Sequence, residues 1–189
     1  GENNTYTWKG IPFAKPPVNN LRWKATQEAN SWNGRLEATD FKQACFQRGS
    51  VFENNDSEWS GNEDCLYLNI WTPELSKEQI EQSQDKLPVM MWIHGGANVV
   101  GSAHTYDPSS LVSNHNVIVV TIQYRMGPLG WFRHPALHND DSTLEDRSGN
   151  YGTLDTIMAL RWINENIHHF GGDADNVTVF GESAGGHNT

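Results

Sequence analysis

Near its C-terminal end the chain reads Asn176-Val-Thr-Val-Phe-Gly-Glu-Ser183-Ala-Gly185. A β-branched run, Val177 to Phe180, leads straight into Gly-x-Ser-x-Gly, and a strand entering that pentapeptide is the setting in which a serine is lifted out of a sharp strand-to-helix turn. Gly181 and Gly185 suit such a turn because side chains at the two flanking positions would collide. A hydroxyl held this way can attack a carbonyl carbon once a base takes its proton. The bland alternative is a glycine-rich strand-to-helix loop without chemistry.

A serine nucleophile also needs donors for the oxyanion that develops as it attacks. The residue after it, Ala184, offers a backbone N–H at the start of the next helix, where the dipole favours negative charge. A second set follows an apolar run: His94-Gly95-Gly96-Ala97, whose small residues let backbone N–H groups approach a tetrahedral oxygen. Alone, Gly95-Gly96 reads equally well as a plain strand-exit turn. A loop of this type after one strand and an elbow after a later one is far more specific than either.

The elements that must position these groups are legible as changes of period. Leu87 to Ile93 and Val117 to Tyr124 are continuous apolar runs, the pattern of strands buried on both faces. Leu154, Ile157, Met158, Trp162 and Ile163 recur at helical spacing between Gly152 and His169. Gly171-Gly172 stops that helix with the residue type that tolerates a left-handed cap. Earlier, Leu66 to Trp71 predicts a strand ended by Thr72-Pro73, and polar Glu74 to Lys86 predicts a surface loop or short helix. Residues 1–44 hold Trp8, Phe13, Pro16, Pro17, Trp23 and Trp32 with little period, which predicts an extended segment packed outside the core. Without a repeat or visible boundary, residues 1–189 read as one α/β domain of mostly parallel strands flanked by helices.

Composition excludes some classes. With 23 acidic against 13 basic residues the net charge is −10, which argues against a nucleic-acid or anionic-membrane surface. No apolar run of about 18 residues spans a membrane, and the chain opens at Gly1 on polar residues without a signal-peptide pattern. Hydrophobic residues make up 37%, on the polar side for a closed globule, which hints at a partner surface elsewhere. No ligand cluster or phosphate loop implies a metal or cofactor. Cys45 and Cys65 are too far apart for a Cys-x-x-Cys pair. Their spacing fits a bridge or two separate thiols equally, and a bridge would point to a secreted or periplasmic setting. Asn3, Asn55 and Asn176 open Asn-x-Ser/Thr sequons.

Over nearly its whole length the chain resembles the type-B carboxylesterase family of the α/β-hydrolase fold, which includes cholinesterases, lipases and adhesion proteins. Gly10-Ile-Pro-Phe-Ala-Lys-Pro-Pro17 with Leu21-Arg-Trp23 is similar to the family's N-terminal segment. Glu63-Asp-Cys-Leu-Tyr-Leu-Asn-Ile70 and Phe170 to Gly185 resemble its two signatures. The resemblance implies Ser183 as nucleophile, Gly96, Ala97 and Ala184 as oxyanion donors, and Glu182 as an acidic pocket residue. It implies a Cys45–Cys65 disulfide, and structural ion pairs Arg22–Glu63 and Arg125–Asp155. Three departures stand out. Ala97 replaces the third glycine and is followed by Asn98 instead of an aromatic. Thr156 replaces a glutamine. Trp59 is not at the spacing of the cholinesterases' choline-binding tryptophan.

In this fold the acid and then the histidine of a Ser-His-acid triad follow the serine, yet only Ala184 to Thr189 do so here. His187 lies one helical turn past Ser183 and is expected to face away from it. His94, His104, His115, His134, His138, His168 and His169 all precede it, and His94 is expected to shape the oxyanion loop. The chain is therefore expected to be the N-terminal portion of a serine ester hydrolase that lacks triad turnover by itself. A non-catalytic adhesion or scaffold relative is the alternative, and thioester or amide cleavage would use the same machinery.

Overall fold

The structure, a computed structural model, describes residues 4–49, 58–76, 78, 80 and 86–189. In chain order the elements are β1 (Thr5–Pro12), β2 (Gln47–Arg48), β3 (Trp59–Ser60), β4 (Tyr67–Pro73), β5 (Leu87–Ile93), α1 (Ser109–His115), β6 (Ile118–Ile122), α2 (Gly127–Gly130), α3 (Leu144–Ser148), α4 (Tyr151–Asn166), β7 (Gly172–Gly181) and α5 (Ala184–His187). Five strands make one sheet in the order β1-β4-β6-β5-β7, while β2 and β3 pair separately. The sheet is mixed. β5 runs parallel to both β6 and β7, the strands that carry the site, and the β1 and β4 margin is antiparallel.

Every residue of β6, Ile-Val-Val-Thr-Ile, is buried, as the β-branched run predicts. β5 differs from expectation: Val89, Met91 and Ile93 are buried, whereas Met90 and Trp92 are half-buried and Pro88 is exposed. One face packs on α4 through Met158, Ala159 and Ile163. Among the described residues the other meets the short α1, the loop before it and Phe41, with Trp92 against Tyr106 and Phe180.

Part of the N-terminal stretch expected outside the core is the sheet's first strand. β1 pairs with β4 from Thr5 to Pro12. Gly10 interrupts the register at φ +72°, and its N–H donates to Asn69 Oδ1 (2.9 Å), which fills the gap the bulge opens. Of Glu74 to Lys86, positions 77, 79 and 81–85 lie outside the described residues; Ile80 N–H donates to Ser76 O in one helical turn. Asn3 and Asn55 also lie outside them, and Asn176 is exposed on β7.

The apolar face expected for α4 is rotated. Ile157 is 42% exposed and Leu154 half-buried, while Gly152, Asp155, Ala159 and Ile163 line the inner stripe. Asp155 sets that phase. Its carboxylate takes two bonds from the Arg125 guanidinium (both 2.8 Å), one from Arg125 N–H (3.0 Å) and one from the Thr26 hydroxyl (2.6 Å). Arg125 further donates to Lys24 O (2.9 Å). A buried pair is tolerable only when its remaining donors and acceptors are filled, as here. Arg22 and Glu63 form the second expected pair, with two contacts of 2.5 Å, and stay partly in water.

Arg125→Leu leaves a fully buried carboxylate without its partner and is expected to cost about 3–5 kcal/mol in equilibrium urea unfolding. Arg22→Leu, at a pair that stays partly in water, is expected to cost far less. Equal losses at the two sites would contradict this assignment of the structural ion pair.

Candidate active site

β7 delivers the chain to Ser183, whose backbone at φ 53° and ψ −121° occupies a region that residues with a Cβ rarely adopt. Two glycines permit the turn. A Cβ on Gly181 would lie 2.4 Å from the Gly185 carbonyl carbon, and one on Gly185 would lie 2.0 Å from Ile93 O. The expected collision between flanking positions is thus half of the constraint. The other half is contact with the end of β5. Ser183 is exposed, and its hydroxyl makes no hydrogen bond among the described residues. Ala184 begins α5 and is buried.

The loop after β5 reaches this turn. A Cβ on Gly95 would sit 3.1 Å from Ser183 Cβ and 2.6 Å from Glu182 Oε2. Gly96, at φ 106°, accepts at its carbonyl from both Val99 and Val100 N–H (3.0 Å each). Ala97 and Asn98 follow at φ 56° and 62°. The N–H groups of Gly96, Ala97 and Ala184 have no hydrogen-bond partner among the described residues. One glycine-to-serine contact therefore joins the elbow to a loop with free donors.

The loop rests on buried polar groups. The His94 ring is fully buried, with Nδ1 2.8 Å from Gly95 O, and stacks on Tyr124 with centroids 4.6 Å apart. Tyr124 donates its hydroxyl proton to His94 O (2.6 Å). Desolvation lowers the His94 pKa to about 4, so the ring is neutral near pH 7. Gln47 carries no local sequence pattern that would mark it for this site. Its amide grips Gly101 from both sides, donating to Gly101 O (2.9 Å) and accepting from Gly101 N–H (2.6 Å). It also donates to Cys45 O (2.9 Å), beside the Cys45–Cys65 disulfide that the structure contains. The cysteine loop is thereby tied to the donor loop.

Glu182 is exposed, its carboxylate lying over Gly95. His187 is exposed, and its main-chain N–H bonds Ser183 O (3.2 Å), which places it one turn along α5. No His, Asp or Glu side chain hydrogen-bonds the Ser183 hydroxyl among the described residues. Nor do they contain a group of three His, Cys, Asp or Glu that could hold a metal, or a helix long and apolar enough to cross a membrane. A cavity of about 380 Å³ opens beside the donor loop, lined by Val99, Trp23, Met126, Pro128 and the stacked rings of Phe46 and Trp59. Trp59, which misses the choline-binding spacing in sequence, is here a wall of that cavity.

The sequence model of the carboxylesterase family matches residues 1–189, the whole chain. The chain belongs to the carboxylesterase family. This carboxylesterase chain is 46% identical over 188 residues to the para-nitrobenzyl esterase of Bacillus subtilis, covering 98% of itself and 36% of that protein. It is likewise 46% identical over 188 residues to a human cocaine esterase, covering 95% of itself and 31% of the relative. A solved para-nitrobenzyl esterase superposes with a TM-score of 0.84 at 43% identity, over 100% of this chain and 37% of the other. The chain spans about a third of the length of the relatives it matches. The α/β-hydrolase fold expected from the resemblance is the fold of these structural neighbours.

In this carboxylesterase chain, Gly185→Ala is expected to lower stability by about 3 kcal/mol, the upper end of overpacking costs. Gly186→Ala, whose Cβ would lie no closer than 3.3 Å to any atom, should cost under about 1 kcal/mol. Similar unfolding midpoints for the two variants would refute the close approach of α5 to β5.

A pH test follows from His94. Above its ordinary value of 6.5 the ring is neutral both folded and unfolded. Between 6.5 and about 4 the unfolded chain takes up a proton that the folded chain does not. Stability should therefore fall through that window. His94→Gln should remove roughly 3 kcal/mol of the fall, since each tenfold change in proton affinity is worth about 1.36 kcal/mol. Superimposable pH profiles of unfolding free energy would rule this out.

Proposed function

We propose that the protein to which this chain belongs is a serine hydrolase of carboxylic esters that works through an acyl-enzyme. The observation that carries the reading is the joint geometry of Ser183 and the donor loop. The strained, exposed Ser183 lies so close to Gly95 that a Cβ there would sit 3.1 Å from the serine Cβ, and among the described residues its hydroxyl and the N–H groups of Gly96, Ala97 and Ala184 have no hydrogen-bond partner. In this reading Ser183 Oγ attacks the ester carbonyl carbon. The carbonyl oxygen gains the electron pair and is held by the N–H groups of Gly96, Ala97 and Ala184. The alcohol leaves, and water then releases the acid from the seryl ester.

A histidine takes the proton from Ser183 and passes it to the leaving alcohol, with an Asp or Glu orienting the ring. Both are assigned to residues outside these 189, because no imidazole here reaches the hydroxyl. Glu182 is read as an acidic residue at the pocket rim. The apolar cavity beside Val99 takes a non-polar part of the ester. The names of the relatives support ester cleavage, and Ser183 with all three donors intact favours hydrolysis over an adhesion or scaffold role. The disulfide favours a secreted or periplasmic setting. The net charge of −10 speaks against nucleic acid as a partner.

The test is burst kinetics with p-nitrophenyl acetate. The protein encoded by the complete gene should release one equivalent of nitrophenolate in a burst, abolished by Ser183→Ala. Residues 1–189 alone should show no burst. A burst surviving Ser183→Ala, or one from the short chain, would overturn the respective assignment.

A further inference from the structure

The two halves of the proposed oxyanion hole sit on separate elements. Gly96 and Ala97 lie on the loop after β5, and Ala184 lies at the start of α5. A tetrahedral oxygen is served only if the two are held in register, and a misplacement of about 1 Å can cost on the order of 100-fold in rate. The glycine contact at Gly95 brings them together but does not lock them.

Asn98 and Asn188 stand at that seam. Asn98 directly follows Ala97, and both occupy the left-handed region, which is strained for any residue with a Cβ and least so for asparagine. Such a pair of residues persists only where its surroundings over-determine it. Asn98 is held twice. Its main-chain oxygen accepts from Gly127 N–H (2.6 Å), and its side-chain Oδ1 accepts from Asn188 Nδ2 (2.8 Å) across ninety residues of sequence.

Asn188 in turn ends α5, its N–H bonding the carbonyls of Ala184 (3.1 Å) and Gly185 (3.2 Å). Tyr124 donates to His94 O, at the root of the donor loop. The Asn98–Asn188 bond thus ties the donor loop directly to the end of α5. Both asparagines are half-buried, so the amide bond between them is partly shielded from competing water.

We propose that Asn98 and Asn188 are positioning residues for the hydrolysis, their amide-to-amide bond clamping the Ala97 and Ala184 N–H groups into a single oxyanion hole. The inference rests on the serine-esterase reading above. It assigns a role to the position where this chain departs from its family's aromatic residue.

The test measures acylation in the complete gene product by stopped-flow release of p-nitrophenol from the acetate ester. Asn98→Gly suits the left-handed backbone and removes only the side chain, and Asn188→Ala removes the donor. Each single change is expected to lower the acylation rate about tenfold, a fraction of the roughly 100- to 1000-fold lost with a whole oxyanion donor. The substrate dissociation constant, read from the concentration dependence of the burst rate, should stay within about twofold, because ground-state binding does not use the hole. The double variant should lose no more than the worse single. Affinity for a trifluoromethyl ketone, whose tetrahedral adduct occupies the hole, should fall by the same factor as the rate. Wild-type acylation in Asn98→Gly, additive losses, or a change in the substrate dissociation constant alone would overturn the proposal. If Asn188→Ala does not fold, Asn98→Gly decides the question. Absence of a burst in the wild-type protein would instead overturn the esterase reading.

Discussion

Everything in this structure depends on one backbone crossing. The turn after β7 folds back so tightly that Gly181 lies against Gly185, and Gly185 lies against the last carbonyl of β5. No residue with a Cβ fits at either position without moving main chain. That approach fixes the parallel register of β5 and β7, where Ile93 stands opposite Gly181. It also brings the loop leaving β5 to the serine leaving β7. The sheet supplies the rigidity, but the absence of two methyl groups makes the meeting of the two loops possible.

The support around the crossing is polar and buried. Just past β6 come Tyr124 and Arg125, and the two side chains serve different neighbours. Tyr124 anchors the start of the donor loop through His94 O, while Arg125 pulls Asp155 of α4 into the core. The helix that covers the site-bearing strands is thus positioned by an ion pair and not by an apolar stripe alone. Gln47 adds a third tie, from the disulfide to the far end of the donor loop. These side chains are hydrogen-bonded within the fold, whereas the N–H groups of Gly96, Ala97 and Ala184 have no partner among the described residues. Fixed donors left free for a developing charge are the arrangement that stabilises an oxyanion without reorganisation.

Much of this is legible in the amino-acid sequence, for physical reasons. Gly-x-Ser-x-Gly after a β-branched run is a local pattern, as is the wholly β-branched β6, and local sequence encodes both. What lies outside reach is decided by partners distant in the chain. Leu154 and Ile157 fit a helical stripe, but the stripe that faces inward runs through Asp155, because Arg125 waits there; a charged residue in the core reads as polar until its partner is known. Thr5 to Pro12 joins the sheet because Asn69 fills the gap at the Gly10 bulge, and nothing within the strand announces that. Asn98 is visible in sequence only as a departure from the family's aromatic, since its partner Asn188 lies ninety residues on. The alternation in β5, with one face half-covered, likewise depends on how far α1 extends.

On the proposed reading the crossing makes Ser183 a nucleophile. The most direct measurement is reaction of the complete gene product with a fluorophosphonate, followed by tryptic mass spectrometry of the labelled protein. A single phosphonyl adduct, near one equivalent, is expected on the peptide containing Ser183. Unlabelled Ser183, or an adduct on any other serine, would contradict it.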